Sequence, residues 1–200
     1  MFTGIIQAVG RITNVKTIGG TAAVTIESPE FDLSDVAIGD SIACNGVCLT
    51  VTALVPDGFS VDVSRETMKV TAGFVTGAVI NLEKSLRLSD RLDGHLVSGH
   101  VDGSGEIMTI EPVDANHEIT IRFPVDLGRY IARKGSITVN GVSLTVNAVT
   151  METFSANLIP HTLTMTNFNA LKVGDRVNLE IDLLARYIER LLQDSRNSGV

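Results

Sequence analysis

A stretch of 14 residues occurs twice: Ser41 to Leu54, SIACNGVCLTVTAL, returns as Ser136 to Val149, SITVNGVSLTVNAV, with 9 positions identical at an offset of 95. Gly4 and Gly99 (FTGII, VSGHV) and Phe59 and Phe154 (FSVDVSRET, FSANLIPHT) share that register. GAVINLE from Gly77 matches GDRVNLE from Gly174 after a two-residue insertion. Blocks this far apart in one register make the chain two copies of a unit. Solenoid repeats of about 20–50 residues bury a core only against their neighbours, whereas about 90 residues enclose their own. The expected division is therefore a domain over 1–94, a second over 95–182, and a helix with its tail over 183–200. Two similar domains imply two similar pockets.

With 200 residues, 44% hydrophobic and 20% charged, the chain has apolar material for two small cores. Its 16 basic and 23 acidic residues give a net charge of -7 without a Lys/Arg cluster, which argues against nucleic acid or an anionic membrane as partner and for a small-molecule ligand. No apolar run approaches the roughly 20 residues of a membrane span, and MFTGIIQAVG lacks the cationic start of a leader, so a cytoplasmic location is expected. Cys44 and Cys48, read as one strand, would lie roughly 13 Å apart, beyond disulfide reach. His95, His100, His117 and His161 stand outside any zinc-binding spacing, so no metal is expected.

Short runs rich in Val, Ile and Thr, separated by GG, GD, NG, PDG and KG, read as strands and turns. Asn45-Gly46 and Asn140-Gly141 each sit between two extended runs, the dipeptide that supplies positive φ at both centres of a type I′ hairpin and so holds register. About six strands per copy with no long helical pattern between them predict a mainly β fold: two tandem six-stranded antiparallel Greek-key barrels. From Asp182 to Asp194, Leu184, Tyr187, Ile188 and Leu191 follow helical spacing, so an amphipathic C-terminal helix closes the chain. It has no counterpart in the first copy, and its apolar stripe packs either on its own barrel or on another subunit.

The copies differ beside their best-matched residues. Cys48 is set against Ser143, Ile5 against His100, Glu66 against His161 and Asp62 against Asn157, while Thr50/Thr145 and Thr67/Thr162 are shared. Taken singly, each residue has a bland explanation: a strand threonine, a small buried thiol, a turn lysine at Lys134.

Together, FTGII, GHLVSGH (Gly94 to His100), NGVCLTV, NGVSLTV and IPHTL (Ile159 to Leu163) resemble riboflavin synthase, a family of two-repeat lumazine-binding enzymes, over essentially the whole chain. The resemblance implies a homotrimer joined through the C-terminal helices, with one 6,7-dimethyl-8-ribityllumazine per barrel and an active site between the first barrel of one subunit and the second of its neighbour. It implies four-carbon transfer between two identical substrates without cofactor or metal, and leaves room for association with lumazine synthase. Carried over by motif, Gly4, Ile5, Ile6, Cys48, Leu49, Thr50 and a strand of Asp62, Val63, Ser64, Arg65, Glu66 and Thr67 would line the first pocket. Gly99, His100, Val101, Lys134, Ser143, Leu144, Thr145 and the stretch Asn157, Leu158, Ile159, Pro160, His161 and Thr162 would line the second.

A reaction that consumes two copies of one molecule gains from two homologous pockets that hold them face to face. Donor and acceptor roles then need the pockets to differ. His100 is the expected proton-transfer group, Ser143 and Cys48 position or attack the ring, and Thr145 and Thr50 orient the ligand. The competing function is a carrier that binds a lumazine without converting it; a flavin-reductase reading lacks the G-x-G-x-x-G segment of a nucleotide domain.

Overall fold

The computed structural model describes residues 1–197. In the first copy, β1 (Ala8–Ile18), β2 (Thr21–Glu27), β3 (Ser41–Cys44), β4 (Val47–Val55), β5 (Gly58–Val63) and β6 (Val79–Lys84) close into an antiparallel barrel in the order β1-β2-β5-β4-β3-β6. In the second, β7 (Gly103–Val113), β8 (Asn116–Arg122), β9 (Ser136–Val139), β10 (Val142–Val149), β11 (Thr153–Leu158) and β12 (Arg176–Ile181) repeat that arrangement. The β3-β4-β5 meander lying beside β2 is the Greek-key signature, and closure leaves no free edge.

Alternation decides which side chains reach the cores. In β4, Val47, Leu49 and Val51 point inward, and in β10 Val142, Leu144 and Val146 do the same. Each side chain of this kind contributes about 1.5–3 kcal/mol on full burial. The residues between them, Cys48 and Thr50, or Ser143 and Thr145, are thereby forced onto the outer face of each barrel. Phe59 and Phe154 lie fully buried at equivalent places in the two cores.

The two Asn-Gly turns have positive φ at both centres, 48° and 80° in each copy, as the hairpin type requires. They also meet tip to tip. A Cβ on Gly46 would stand 2.7 Å from the Gly141 nitrogen, and one on Gly141 would stand 2.8 Å from the Gly46 nitrogen. Asn81 Nδ2 donates to the Asn140 carbonyl at 2.9 Å, and Asn178 Nδ2 to the Asn45 carbonyl at 3.0 Å. Each turn is thus capped by an asparagine of the other barrel, and the repeated block forms the pseudo-twofold contact between the copies. Cys44 and Cys48 are not in one strand: Cys44 ends β3 and Cys48 is the second residue of β4, on opposite arms of this hairpin, both as free thiols.

A short helix corrects the strand expected over Asp62 to Thr67, and a second one occupies the end of the equivalent stretch in the other copy. β5 ends at Val63, Ser64 caps α1 (Arg65–Val70) by accepting from Thr67 N at 3.1 Å, and β11 gives way to α2 (Pro160–Met165) with Pro160 in its first turn. The C-terminal helix α3 spans Leu183–Asn197. Its own barrel leaves the stripe largely uncovered: Leu184, Tyr187, Ile188 and Leu191 are 60, 61, 57 and 70% exposed. The polar side holds it instead, with Glu189 bound by Arg129 and Tyr130, and Arg186 bound by Asp102. Residues 198–200 of the expected tail lie outside the described residues.

Candidate active site

The segments ahead of the two barrels cross over. Phe2 pairs with Val97 as an isolated antiparallel bridge, and from it each chain segment reaches the other barrel. Ser143 N donates to Gly4 O at 2.8 Å, and Cys48 N donates to Gly99 O at 2.8 Å. Ile6 packs on the second core and Val101 on the first. Gly4, Ile5 and Ile6 therefore accompany Ser143 and Thr145, whereas Gly99, His100 and Val101 accompany Cys48 and Thr50. The motif-based partition of these six residues is reversed, because pairing between residues as distant in sequence as Gly4 and Ser143 or Cys48 and Gly99 leaves no trace in local pattern.

Buried carboxylates hold both crossings. Glu83 accepts from Thr3 N at 2.7 Å, Thr3 Oγ1 at 2.6 Å and Gly4 N at 3.0 Å; Glu180 accepts from Ser98 N at 2.7 Å, Ser98 Oγ at 2.7 Å and Gly99 N at 3.0 Å. Burial pushes the Glu83 carboxyl above the usual carboxylate range, and the bonds from Thr3 and Gly4 oppose that shift. Gly4 and Gly99 have φ of 78° and 81°, and a Cβ on either would stand 2.6 Å from Ser143 Cβ or 2.5 Å from Cys48 Cβ. Only glycine allows this approach.

The resulting faces are alike in shape and unlike in chemistry. On the first, Cys48 lies half-buried against Phe2, Ala43 and Val97, Thr50 is exposed, and Asp62, Ser64, Arg65 and Glu66 are exposed with Thr67 half-buried at the rim. On the second, Ser143 is half-buried, Thr145 is exposed, and Asn157, Ile159, Pro160 and His161 are exposed with Thr162 half-buried. Leu49, Val63, Leu144 and Leu158 point into the cores and offer a ligand only their backbone. Cys44 is fully buried and its thiol pKa is pushed up by desolvation, so of the two thiols only Cys48 reaches the face.

Lys134 adopts φ 67°, where the first copy has Gly39 at φ 100°. A lysine in a left-handed conformation that glycine fills elsewhere costs of order 1 kcal/mol and marks the turn before β9 as a place where the side chain matters.

His100 is exposed on its crossing segment, its backbone N donating to Ser98 Oγ at 3.2 Å. The imidazole that touches a candidate catalytic group is His95: its Nδ1 lies 2.7 Å from Ser143 Oγ. Gly94 makes room for this, since its Cβ position is 3.2 Å from the same oxygen. Burial lowers the His95 pKa, partly offset by the nearby Asp182 carboxylate, so the ring is held neutral and able to exchange a proton with Ser143. At an offset of 95 its counterpart would precede Met1, which placed His95 outside any pairing of the copies. The one available signal was its position one residue after Gly94, within GHLVSGH.

A doubled barrel with crossed segments and an open, polar outer face on each copy defines a tandem ligand-binding protein. The family model for the lumazine binding domain matches residues 3–85 and again 98–182. A riboflavin synthase from Photobacterium phosphoreum is 47% identical over 194 residues, covering 96% of this chain and 89% of that protein. One from Bacillus subtilis is 42% identical over 200 residues, covering 99% and 93%. Among solved structures, LumP complexed with riboflavin superposes with a TM-score of 0.83 at 27% identity, covering 90% of this chain and 99% of that one. LumP complexed with 6,7-dimethyl-8-(1'-D-ribityl) lumazine gives 0.81 at 25% identity over the same shares. The chain belongs to the riboflavin synthase family of lumazine-binding proteins.

Proposed function

We propose that the chain catalyses the dismutation of two molecules of 6,7-dimethyl-8-ribityllumazine, moving a four-carbon unit from one to the other. The products are riboflavin and 5-amino-6-(ribitylamino)uracil, whose atoms together equal those of the two substrates, so no external oxidant or reductant enters the balance. The observation that carries the reading is the pair of like faces with unlike chemistry: Cys48 under Gly99 on one, Ser143 under Gly4 and beside His95 on the other.

Each face takes one lumazine. Backbone groups near Gly99 and Gly4 and the side chains of Thr50 and Thr145 hold the ring system. Asp62, Ser64, Glu66 and Thr67, or Lys134, Asn157, His161 and Thr162, receive the ribityl hydroxyls. His95 moves a proton by way of Ser143, and His100 serves the ring bound at Cys48; the acidic 7-methyl group of the substrate asks only for a well-placed weak base. Much of the acceleration comes from stacking two rings in one orientation.

Both faces are open, and the apolar stripe of α3 is uncovered. A homotrimer joined through α3 would lay the first barrel of one subunit on the second barrel of the next, and a cytoplasmic location with lumazine synthase as a neighbour fits such an enzyme. No helix among the described residues is long and apolar enough to cross a membrane. The test is anaerobic incubation with the lumazine alone, followed by riboflavin absorbance. One riboflavin formed per two lumazines consumed supports the enzyme; tight binding without riboflavin makes the chain a carrier.

A further inference from the structure

Asp102 directly follows the segment that carries His100 and Val101 to the first barrel. Its carboxylate is 10% exposed and grips the start of α3 on both sides of Asp182. Asp102 Oδ2 accepts from Ile181 N at 2.9 Å, and Oδ1 pairs with the Arg186 guanidinium. Asp182 caps the helix by accepting from Leu184 N at 3.0 Å, and its charge acts on His95.

The first copy shows which part of this arrangement belongs to the fold. Gln7 occupies the position of Asp102, and its Oε1 accepts from Lys84 N at 2.9 Å, the equivalent of the bond to Ile181. A neutral amide therefore suffices to join segment to strand. The negative charge in the second copy answers Arg186, which lies on the helix that the first copy lacks.

We propose that Asp102 and Arg186 are positioning residues that set the first turn of α3 so that Asp182 stands beside His95, tying the wall of the Cys48 face to the Ser143 corner. Movement of His100 and Val101 on one face is then felt at the proton-transfer pair of the other through one carboxylate. This inference rests on the reading of Ser143 and His95 as part of the reaction site.

The test uses full-length Asp102→Gln, the residue of the first copy, which keeps an acceptor for Ile181 N while removing the charge. It is compared with Arg186→Gln, Arg186→Lys and the Asp102→Gln/Arg186→Gln double variant. Expected are unchanged oligomer mass, a kcat about tenfold lower in each neutral variant with KM within about twofold, recovery in Arg186→Lys, and a double variant no worse than either single. Imidazole 15N shifts should show the His95 titration midpoint moved down in Asp102→Gln as the Asp182 charge withdraws. Unchanged kcat in an active enzyme, additive losses in the double variant, or an unmoved His95 titration would overturn the positioning role. A wild type that forms no riboflavin would instead overturn the enzymatic reading, and the His95 titration still decides whether Asp102 and Arg186 position Asp182.

Discussion

His95 Nδ1 lies 2.7 Å from Ser143 Oγ, a bond between the segment leaving one barrel and the outer face of the other. It gives Ser143 a proton partner. Replacing His95 with Gln or Ser143 with Ala removes an interaction used in the transition state, so kcat should fall about 10- to 100-fold with KM changed less than about threefold. His100→Ala should also lower turnover more than affinity. Steady-state kinetics beside equilibrium lumazine binding checks this; equal losses in both would assign these side chains to binding alone.

The burial of His95 sets a pH dependence of stability. Burial depresses the folded-state pKa of His95 below the ordinary 6.5, so the unfolded chain takes up this proton first as pH falls. The stabilisation from neutral His95 is complete above about 6.5 and is lost as pH drops through the folded value. Calorimetry of wild type and His95→Gln should find the wild-type advantage in Tm larger at about pH 7.5 than at about pH 5. A gap that widens on acidification would contradict the assignment.

The crossing of segments makes a prediction that the sequence reading would have reversed. Glu180→Gln leaves one of its two acceptor oxygens replaced by a donor facing Ser98 or Gly99, at a cost of about 1–3 kcal/mol, and loosens the wall of the Cys48 face. Glu83→Gln does the same to Thr3 and Gly4 over Ser143. Lumazine titrations should show Glu180→Gln weakening the site that Thr50→Ala removes, and Glu83→Gln the site that Thr145→Ala removes. Hydrogen exchange should speed up at the Gly99 amide in the first variant and at Gly4 in the second.

Gly46 and Gly141 leave no room for a side chain between the turns. Gly46→Ala introduces a Cβ against the Gly141 nitrogen at a φ of 80°, and should destabilise the chain by about 2–4 kcal/mol. Denaturant unfolding measures this. A loss below about 0.5 kcal/mol would mean that the barrels separate at no cost.

The strands and both Asn-Gly turns were legible because inward and outward residues alternate and because only a few dipeptides fit positive φ twice. So was the helix at Leu184, Tyr187, Ile188 and Leu191, although its spacing could not say which surface it faces. The helices α1 and α2 were missed despite Ser64 three residues before Thr67 and Pro160 at a first turn; six residues are too few to set a period against the preceding strand. The reversal of Gly4 and Gly99 was hidden for a different reason. Which barrel a segment serves depends on the Phe2 to Val97 bridge and on the bonds from Ser143 N to Gly4 O and from Cys48 N to Gly99 O, all contacts made across the two copies.

The helix prediction follows from its exposed stripe. Ending the chain after Asp182 removes Tyr187, Ile188 and Leu191 while leaving both barrels closed, so if the proposed trimer is joined through α3, light scattering should report a trimer for the full chain and a monomer for the shortened one. An unchanged mass would place the subunit contact elsewhere.

The central claim is that one face carrying Cys48 and one carrying Ser143, from different subunits, make a single reacting pair. A Thr50→Ala/Cys48→Ala chain and a His95→Gln/Ser143→Ala chain, each impaired alone, are unfolded, mixed in equal amounts and refolded together. If faces pair across subunits, about a quarter of the sites join an intact Cys48 face to an intact Ser143 face, and riboflavin formation should return to about a quarter of the wild-type rate. A mixture no more active than its two components would contradict the account.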